Sequence, residues 1–338
     1  MATITKRGDY QWQAKIRRKG YPPQSRTFDL KADAEIWARD VEREMDRGVF
    51  LDRSEADKST FGQVLKRYRK EITPSKKSQK IEEVIIDNLL KTKISKLKMT
   101  ALSGVALAEW RDARLLEVTG STVNREIDVI SSIVNQARKE WGMHIENPVV
   151  LIRRPPKGKA RERRLEGDEE KRLLDALEEA PRREDGTFEK GARNPWLKPV
   201  VELALETAMR RGELLSLEWK HIDLKRAVAH LSDTKNGDAR NVPLSKRAVA
   251  VLKALPRSIG GVVFPISPNA LKKGFERACV RAGIEDFHFH DLRHEAASRI
   301  SMKLSNVLEL SAVTGHRDLR MLKRYYHPKA EDLAKKLG

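Results

Sequence analysis

The chain has 338 residues, 39% of them apolar, which suggests two or three domains with cores of their own. It carries 68 basic against 49 acidic residues, a formal net charge of +19, and a surplus of that size points to a polyanionic partner. A single cysteine, Cys279, excludes an intrachain disulfide framework and a cysteine-based zinc site, and no apolar run is long enough to span a bilayer, so a reducing, cytoplasmic setting with no membrane partner is expected.

The first segment, about residues 1–55, reads as a small β-sheet followed by a helix. Its polar start has no apolar core of the signal-peptide kind. Tyr10, Trp12, Ala14 and Ile16 alternate with polar residues, the period of a half-buried strand, and Ser25 to Phe28 is a candidate return strand. Ala34, Trp37, Val41 and Met45 then recur at helical spacing, and Gly48 ends the helix. On the polar strand face, Lys15 and Arg17 are candidate DNA contacts of the β-ribbon kind.

The second segment, about 59–152, is expected to be helical. Thr60 and Gln63 fit a capping box ahead of Phe61, Val64, Leu65, Tyr68 and Ile72. A second helix is marked by Ile81, Val84, Ile85 and Leu89, and a third by Ile127, Ile130, Val134, Ala137 and Trp141, with Asn147-Pro148 as the stop. Residues 61–100 hold 11 basic and 4 acidic side chains, and Lys91, Lys93, Lys96 and Lys98 crowd together as candidate phosphate contacts. Residues 151–164, LIRRPPKGKARERR, read as an extended basic linker, with Arg153, Arg154, Lys157 and Lys159 as further candidates for the DNA backbone.

The third segment, about 165–338, mixes helices with a short hairpin. Ala227 to Leu231 and Asn241 to Leu244 are the expected strands, joined through Lys235-Asn236-Gly237-Asp238, where Asn-Gly signals a turn. Helices are expected over 168–179, 195–218, 268–282, 290–303 and 317–326. Scattered through the segment are Arg210 in TAMRRGELLSLEW, Lys235 in DTKNGDARNVPL, His290 and Arg293 in HDLRH, His316 in TGH and Tyr325 in RYYHP. Taken singly, each has a plain structural explanation: a solvated charge, a helix cap, a packed ring. Six residues of these types in this order make coincidence improbable.

That order, Arg, Lys, His-x-x-Arg, His, Tyr, with the tyrosine nine residues after the Gly-His histidine, resembles the tyrosine recombinase, or phage integrase, family. The likeness is specific in the third segment, good over 115–148 and weaker over 1–55. Two departures are small: Ala208-Met209-Arg210 stands where the family often has Gly-Leu-Arg, and Thr314-Gly315-His316 where it often has Leu-Gly-His. The resemblance implies a multidomain, mainly α fold with small β elements. It comprises an arm-type DNA-binding domain over 1–55, a helical core-binding domain over 59–152 and a mixed α+β catalytic domain over 165–338.

The chemistry of such a set is coherent. Attack on a phosphodiester needs a nucleophile, an acceptor for its proton, a donor for the leaving oxygen, and positive charge around the transition state. By the resemblance, Tyr325 is the nucleophile that forms a 3′-phosphotyrosine, favoured over Tyr326 by the spacing and by the frame Arg324-Tyr325-x-His327. Arg210 and Arg293 would hold the non-bridging oxygens, with His316 as a further donor. His290 would help accept the tyrosine proton, Lys235 would protonate the leaving 5′ oxygen, and Glu213 would orient the cluster.

No nucleotide cofactor is needed, because the phosphotyrosine conserves the bond energy, and none is expected. Nor is a metal: His288, His290 and His294 invite such a reading, but no carboxylate-histidine zinc motif accompanies them. The implied partners are double-stranded attachment-site DNA, three further copies in a DNA-bound homo-tetramer, and DNA-bending and directionality factors, in a nucleoid-associated setting. The tail EDLAKKLG is a candidate for docking onto a neighbouring protomer. Two other readings share parts of this pattern. A type IB-like topoisomerase has the same chemistry but no use for an arm-binding module, and a DNA-binding regulator has no use for the catalytic set.

Overall fold

The computed structural model describes residues 2–156, 158, 161–180, 184, 191–232, 239–258, 260–304 and 306–326. The chain divides into two compact units, Met1–Lys159 and Ala160–Gly338.

In the first unit, strands β1 (Thr3–Arg7), β2 (Gln11–Ile16) and β3 (Gln24–Phe28) form an antiparallel sheet in that order. Helix α1 (Lys31–Asp46) lies against it, and Ala14, Ile16, Ala34, Ala38, Val41 and Met45 close a small core. β1 escapes notice in the sequence because only Ile4 breaks its polar run. Tyr10, expected on the inward face, is 84% exposed because it stands in the β1–β2 turn, just before β2 begins. Lys15 and Arg17 are exposed, as the alternation requires.

The rest of this unit is helical: α2 (Ser54–Lys58), α3 (Phe61–Glu71), α4 (Gln79–Leu90), α5 (Gly104–Leu115) and α6 (Gly120–Glu140). Phe61, Leu65, Ile86, Leu107, Ile127, Ile130 and Ile133 are fully buried in its core. The capping box forms as expected: Gln63 N–H donates to Thr60 Oγ1 at 3.2 Å, and Thr60 N–H donates to Gln63 Oε1 at 2.7 Å. α4 is turned from the face read in the sequence: Ile81 and Val84 are 56% and 60% exposed, and Glu82 is buried instead. Lys76 Nζ at 2.7 Å and Thr73 Oγ1 at 2.8 Å hold that carboxylate, so a satisfied polar group replaces two apolar ones at the contact. α3 approaches the chain after α4 closely enough that a Cβ on Gly62 would lie 2.8 Å from the Ser95 carbonyl oxygen. Gly62→Ala is therefore expected to lower stability by about 1–3 kcal/mol, read as a fall in denaturation midpoint.

The second unit contains α7 (Glu169–Ala176), α8 (Leu197–Thr207), α9 (Arg211–Leu215), an antiparallel sheet of β4 (Ile222–Asp223), β5 (Val228–Leu231) and β6 (Arg240–Pro243), then α10 (Lys246–Ala254), α11 (Pro268–Ala282), α12 (Asp291–Ser301) and α13 (Val307–Thr314). Phe264, Phe275, Leu271, Val200 and Leu203 sit in its core. Two expectations are corrected. The helix expected over 195–218 breaks at Ala208, which takes the left-handed conformation at φ +53. The helix expected over 317–326 is only a 3₁₀ turn, Leu319–Met321, followed by turns. And α10 and α13 were not anticipated. The expected Asn236-Gly237 turn lies outside the described residues.

The described residues of the segment read as an extended basic linker are largely tied down. Asn124 Nδ2 donates to the Pro155 carbonyl at 2.9 Å, and Pro155 is buried within the first unit. In the second unit, Arg161 pairs with Asp286 and Asp291, Arg163 with Glu169 and Arg164 with Glu295. These arginines neutralise carboxylates of their own unit, and Lys157 and Lys159 lie outside the described residues.

Candidate active site

The break at Ala208 places the first site residue. A side chain in the left-handed region costs about 1–2 kcal/mol, and here it turns the chain so that Arg210 stands extended, immediately before α9. Glu213 reaches back from the first turn of α9. Its Oε2 accepts from the Arg210 amide and its Oε1 from Arg210 Nη1, both at 2.8 Å. From β6, Arg240 forks onto the same carboxylate, Nη1 to Oε1 at 2.9 Å and Nη2 to Oε2 at 2.8 Å. Glu213 is 5% exposed. Burial alone would raise its pKa, but the hydrogen bonds from Arg240 and the Arg210 amide, and the Arg240 charge, outweigh it and bring the group from 4.5 to about 2.

Arg293 comes from the buried face of α12 and is 4% exposed. Its guanidinium donates to the Ala208 carbonyl, to the Thr314 carbonyl at 2.6 Å and to His316 Nε2 at 3.3 Å. Arg210 Nη2 donates to the next carbonyl, Gly315, at 3.2 Å. The two guanidiniums thus share the C-terminal end of α13, where helix carbonyls lack intrahelical partners and carry partial negative charge. Gly315 leaves room for the third arginine as well: its φ is +68, and a Cβ there would lie 2.8 Å from Arg240 Cζ. Burial, then the Arg210 charge, lowers the Arg293 pKa to about 10, which still leaves it cationic at neutral pH. Its acceptors are neutral, and among the described residues no carboxylate pairs with it. Its buried charge is short of an anion.

His316 follows Gly315. Its Nε2 faces Arg293, a donor, so Nδ1 carries the proton and donates to Thr314 Oγ1 at 2.8 Å, which in turn donates to the Leu310 carbonyl at 2.7 Å. Burial and the charges of Arg293 and Arg210 lower its pKa to about 4, so the ring is neutral at neutral pH.

Tyr325 is half-buried and packs, like Ile300, against the cluster of Ala208, Ala296 and Ala297, and its carbonyl accepts from Ser301 Oγ at 2.6 Å. Its hydroxyl is hydrogen-bonded to His294 Nδ1, and the two rings are stacked with centroids 5.8 Å apart. The His316 ring lies 6.4 Å from the Tyr325 ring, tilted to it. Burial raises the Tyr325 pKa against the opposing charges of Arg324 and Arg293. His290 is exposed at the start of α12, its ring 5.1 Å from that of His294. Together with Arg210, Arg211, Gly212, Glu213, Ser216 and Phe289, it lines an open cavity of about 480 Å³.

Of the residues singled out in the sequence, Arg210, Glu213, His290, Arg293, His316 and Tyr325 are brought together, while Lys235 and His327 lie outside the described residues. Of two further members of the cluster, Arg240 was missed, and His294 was weighed only as a metal ligand and read as a supporting or structural residue. Arg240 sits two residues after the expected turn, and its only signal was its place at the start of a strand. His294 follows Arg293 and stands one helical turn after His290, a spacing that puts both imidazoles on one face. Of the candidate DNA contacts, Lys15, Arg17, Lys91, Lys93, Lys96, Lys98, Arg153 and Arg154 are exposed in the first unit. Arg154 pairs with Asp128 at 2.7 Å, and Lys98 Nζ donates to the Lys58 carbonyl at 2.8 Å.

The profile of the phage integrase family matches residues 163–332. The chain is 41% identical over 290 residues to a shufflon-specific DNA recombinase of Escherichia coli, the match covering 83% of this chain and 72% of that protein. It is 32% identical over 226 residues to the integrase of Salmonella phage P22, covering 61% of this chain and 54% of the integrase. Among solved structures it resembles a lambda integrase tetramer bound to a Holliday junction, with a TM-score of 0.65 and 20% identity over 96% of this chain and 94% of the other. At that identity the likeness is one of fold.

Proposed function

The chain belongs to the phage integrase family and is a site-specific tyrosine recombinase, an enzyme that breaks and rejoins DNA; from that premise we propose that Tyr325 is its nucleophile and that Arg210 and Arg293 form its phosphate cradle, with His316 Nε2 holding the Arg293 guanidinium until a bound phosphate favours the protonated ring and makes it a further donor. The observation that carries this assignment is the pair of guanidiniums anchored on neighbouring carbonyls, Arg210 on Gly315 and Arg293 on Thr314, with Tyr325 packed against the alanine cluster that includes Ala208, whose carbonyl Arg293 also holds.

The steps follow from these groups. Arg210 and Arg293 donate to the non-bridging oxygens of one backbone phosphate, supplying fixed positive charge as the phosphorane-like transition state develops. The Tyr325 oxygen bonds to phosphorus, and the bond from phosphorus to the 5′ oxygen breaks. Lys235 gives that oxygen its proton. Religation by another 5′ hydroxyl reverses the sequence and needs no nucleotide. Glu213 acts on this step only through the two arginines that it orients.

The DNA-contact assignments belong to the same proposal. Residues 1–55 bind arm-type sites through Lys15 and Arg17. Residues 59–152 bind the crossover region through Lys91, Lys93, Lys96 and Lys98, and Arg153, Arg154, Lys157 and Lys159 add contacts beyond it. Residues 165–338 carry catalysis. Strand exchange needs four active sites, so the working form is a homo-tetramer on DNA, assisted by bending and directionality factors, in the integration or excision of a mobile element. The lambda integrase tetramer of similar fold supports that stoichiometry.

An attachment-site duplex nicked close to the scissile phosphate tests the reading, since the short 5′-hydroxyl fragment escapes and religation stops. In excess chelator the expected result is a covalent protein–DNA complex whose adduct peptide contains Tyr325. Bound site with no adduct would refute the assignment.

A further inference from the structure

We infer that His294, which stands outside the residue set implied by the family pattern, is a catalytic residue: it aligns the Tyr325 hydroxyl through Nδ1 and accepts its proton during attack. The inference rests on the assignment of Tyr325 as nucleophile and changes which imidazole serves it. His290 is the histidine that the sequence nominates, but His294 is the one hydrogen-bonded to the phenol, with its ring stacked on the tyrosine ring.

The position is built rather than incidental. α12 presents Arg293 and His294 side by side, so the residue next to the phosphate-binding guanidinium faces the nucleophile. Tyr325 is held from its other end by Ser301 on the same helix, through the bond from Ser301 Oγ to its carbonyl. One rigid element therefore fixes a phosphate-binding residue, the nucleophile's backbone and its hydroxyl.

Protonation states support the direction of transfer. Burial, then His290 and Arg324, lowers the His294 pKa to about 4, so at neutral pH the ring is a neutral base, while Tyr325 keeps its proton. The hydroxyl accordingly donates and Nδ1 accepts. The charged and titratable groups facing His294 are His290, Asp291 and Arg293 on its own helix, Arg324 and Tyr325 from the C-terminal turns, and His316 beyond α13. All but Asp291 and Tyr325 are basic groups. A phosphate monoanion between Arg210 and Arg293 offsets that field and makes His294 more basic when substrate is present.

In the step itself, the O–H bond of Tyr325 breaks as its oxygen bonds to phosphorus, and the proton moves to His294 Nδ1. The electron pair of the breaking phosphorus–oxygen bond leaves with the 5′ oxygen, which takes its proton from a separate donor, Lys235. On religation His294 returns its proton to the tyrosine.

The test compares full-length wild type with His294→Phe, which keeps a ring to stack, and His294→Gln, which keeps hydrogen bonding without basicity. Single-turnover adduct formation is measured on the nicked substrate across pH, and again on a bridging 5′-phosphorothiolate, whose thiolate leaves without a proton. DNA binding and thermal melting are measured in parallel. Both variants should bind and melt like wild type but form adduct about 10²-fold more slowly at neutral pH. The deficit should shrink as pH rises toward the phenol's own range, and the phosphorothiolate should not restore the rate. Wild-type adduct rates in a folded variant would overturn the inference, as would a deficit constant across pH or one repaired by the sulfur leaving group. If one variant fails to fold, the other decides. A wild-type enzyme that forms no adduct at all would count against the nucleophile assignment instead.

Discussion

Tyr325→Phe is expected to lose covalent attachment to DNA while remaining folded and able to bind its site. The substitution removes one oxygen, the only atom of the side chain able to bond to phosphorus. Knocking out the nucleophile of an enzyme of this kind costs on the order of 10⁴–10⁶ in the chemical step. Stability should change little. The ring keeps its packing against the cluster of Ala208, Ala296 and Ala297, and the lost hydrogen bond to His294 is worth about 1 kcal/mol. The discriminating measurement is adduct yield on the nicked substrate beside the binding isotherm of the same preparation. Undiminished adduct in Tyr325→Phe would transfer the role to Tyr326, its neighbour in sequence.

Glu213→Ala is expected to be the most damaging change that touches no reacting atom. Its carboxylate holds Arg210 and Arg240 at once, and removing it leaves two guanidiniums with one counter-charge fewer in a place where water screens little. Breaking a buried pair in this way costs about 3–5 kcal/mol. Cleavage should fall as well, because Arg210 loses the contacts that aim it. Glu213→Gln preserves shape but turns donors toward donors, so it should lose most of the same stability.

The pH dependence follows from the same carboxylate. Its folded-state pKa of about 2 lies below the ordinary 4.5, so its contribution is complete above about pH 4.5 and disappears as pH falls through about 2. The shift corresponds to roughly 3 kcal/mol. His294 and His316 add acid sensitivity at higher pH. Both titrate near 4 in the folded chain against an ordinary 6.5, so the unfolded chain takes up protons first and stability declines from about pH 6.5 toward 4. Melting of wild type beside Glu213→Gln should show the lower window collapse in the variant and the upper one persist. A lower window of equal size in both proteins would mean that Glu213 does not carry it.

Much of the architecture was open to inspection along the chain. The capping box at Thr60 and Gln63 is a local hydrogen-bond pattern with a local signature, and it forms as written. α11 occupies the expected bounds because Ser267-Pro268 starts it and Gly283 stops it, signals that act over a few residues. The order of arginines, histidines and tyrosine named the family, since that order survives any folding of the chain. Harder to see were the places where a distant contact overrides local preference. At Ala208 only the glycine that the family often has there hints at a left-handed break, since alanine itself favours helix, and the guanidinium holding its carbonyl comes from α12. Ile81 and Val84 kept helical periodicity yet faced outward, because Lys76 and Thr73 satisfied Glu82 in their stead.

Local composition and residue order, then, were sufficient to determine the chain's class, most of its helices, its polyanionic partner and the candidates for the reacting residues, because each of these rests on neighbours within a turn or two or on order alone. Tertiary structure decided which side chains meet. Arg240 joins Glu213 only because β6 delivers it there, and His294 reaches the phenol only because the C-terminal turns fold back over α12. Such meetings depend on the summed packing of both partners' elements, a quantity that no short window of residues contains.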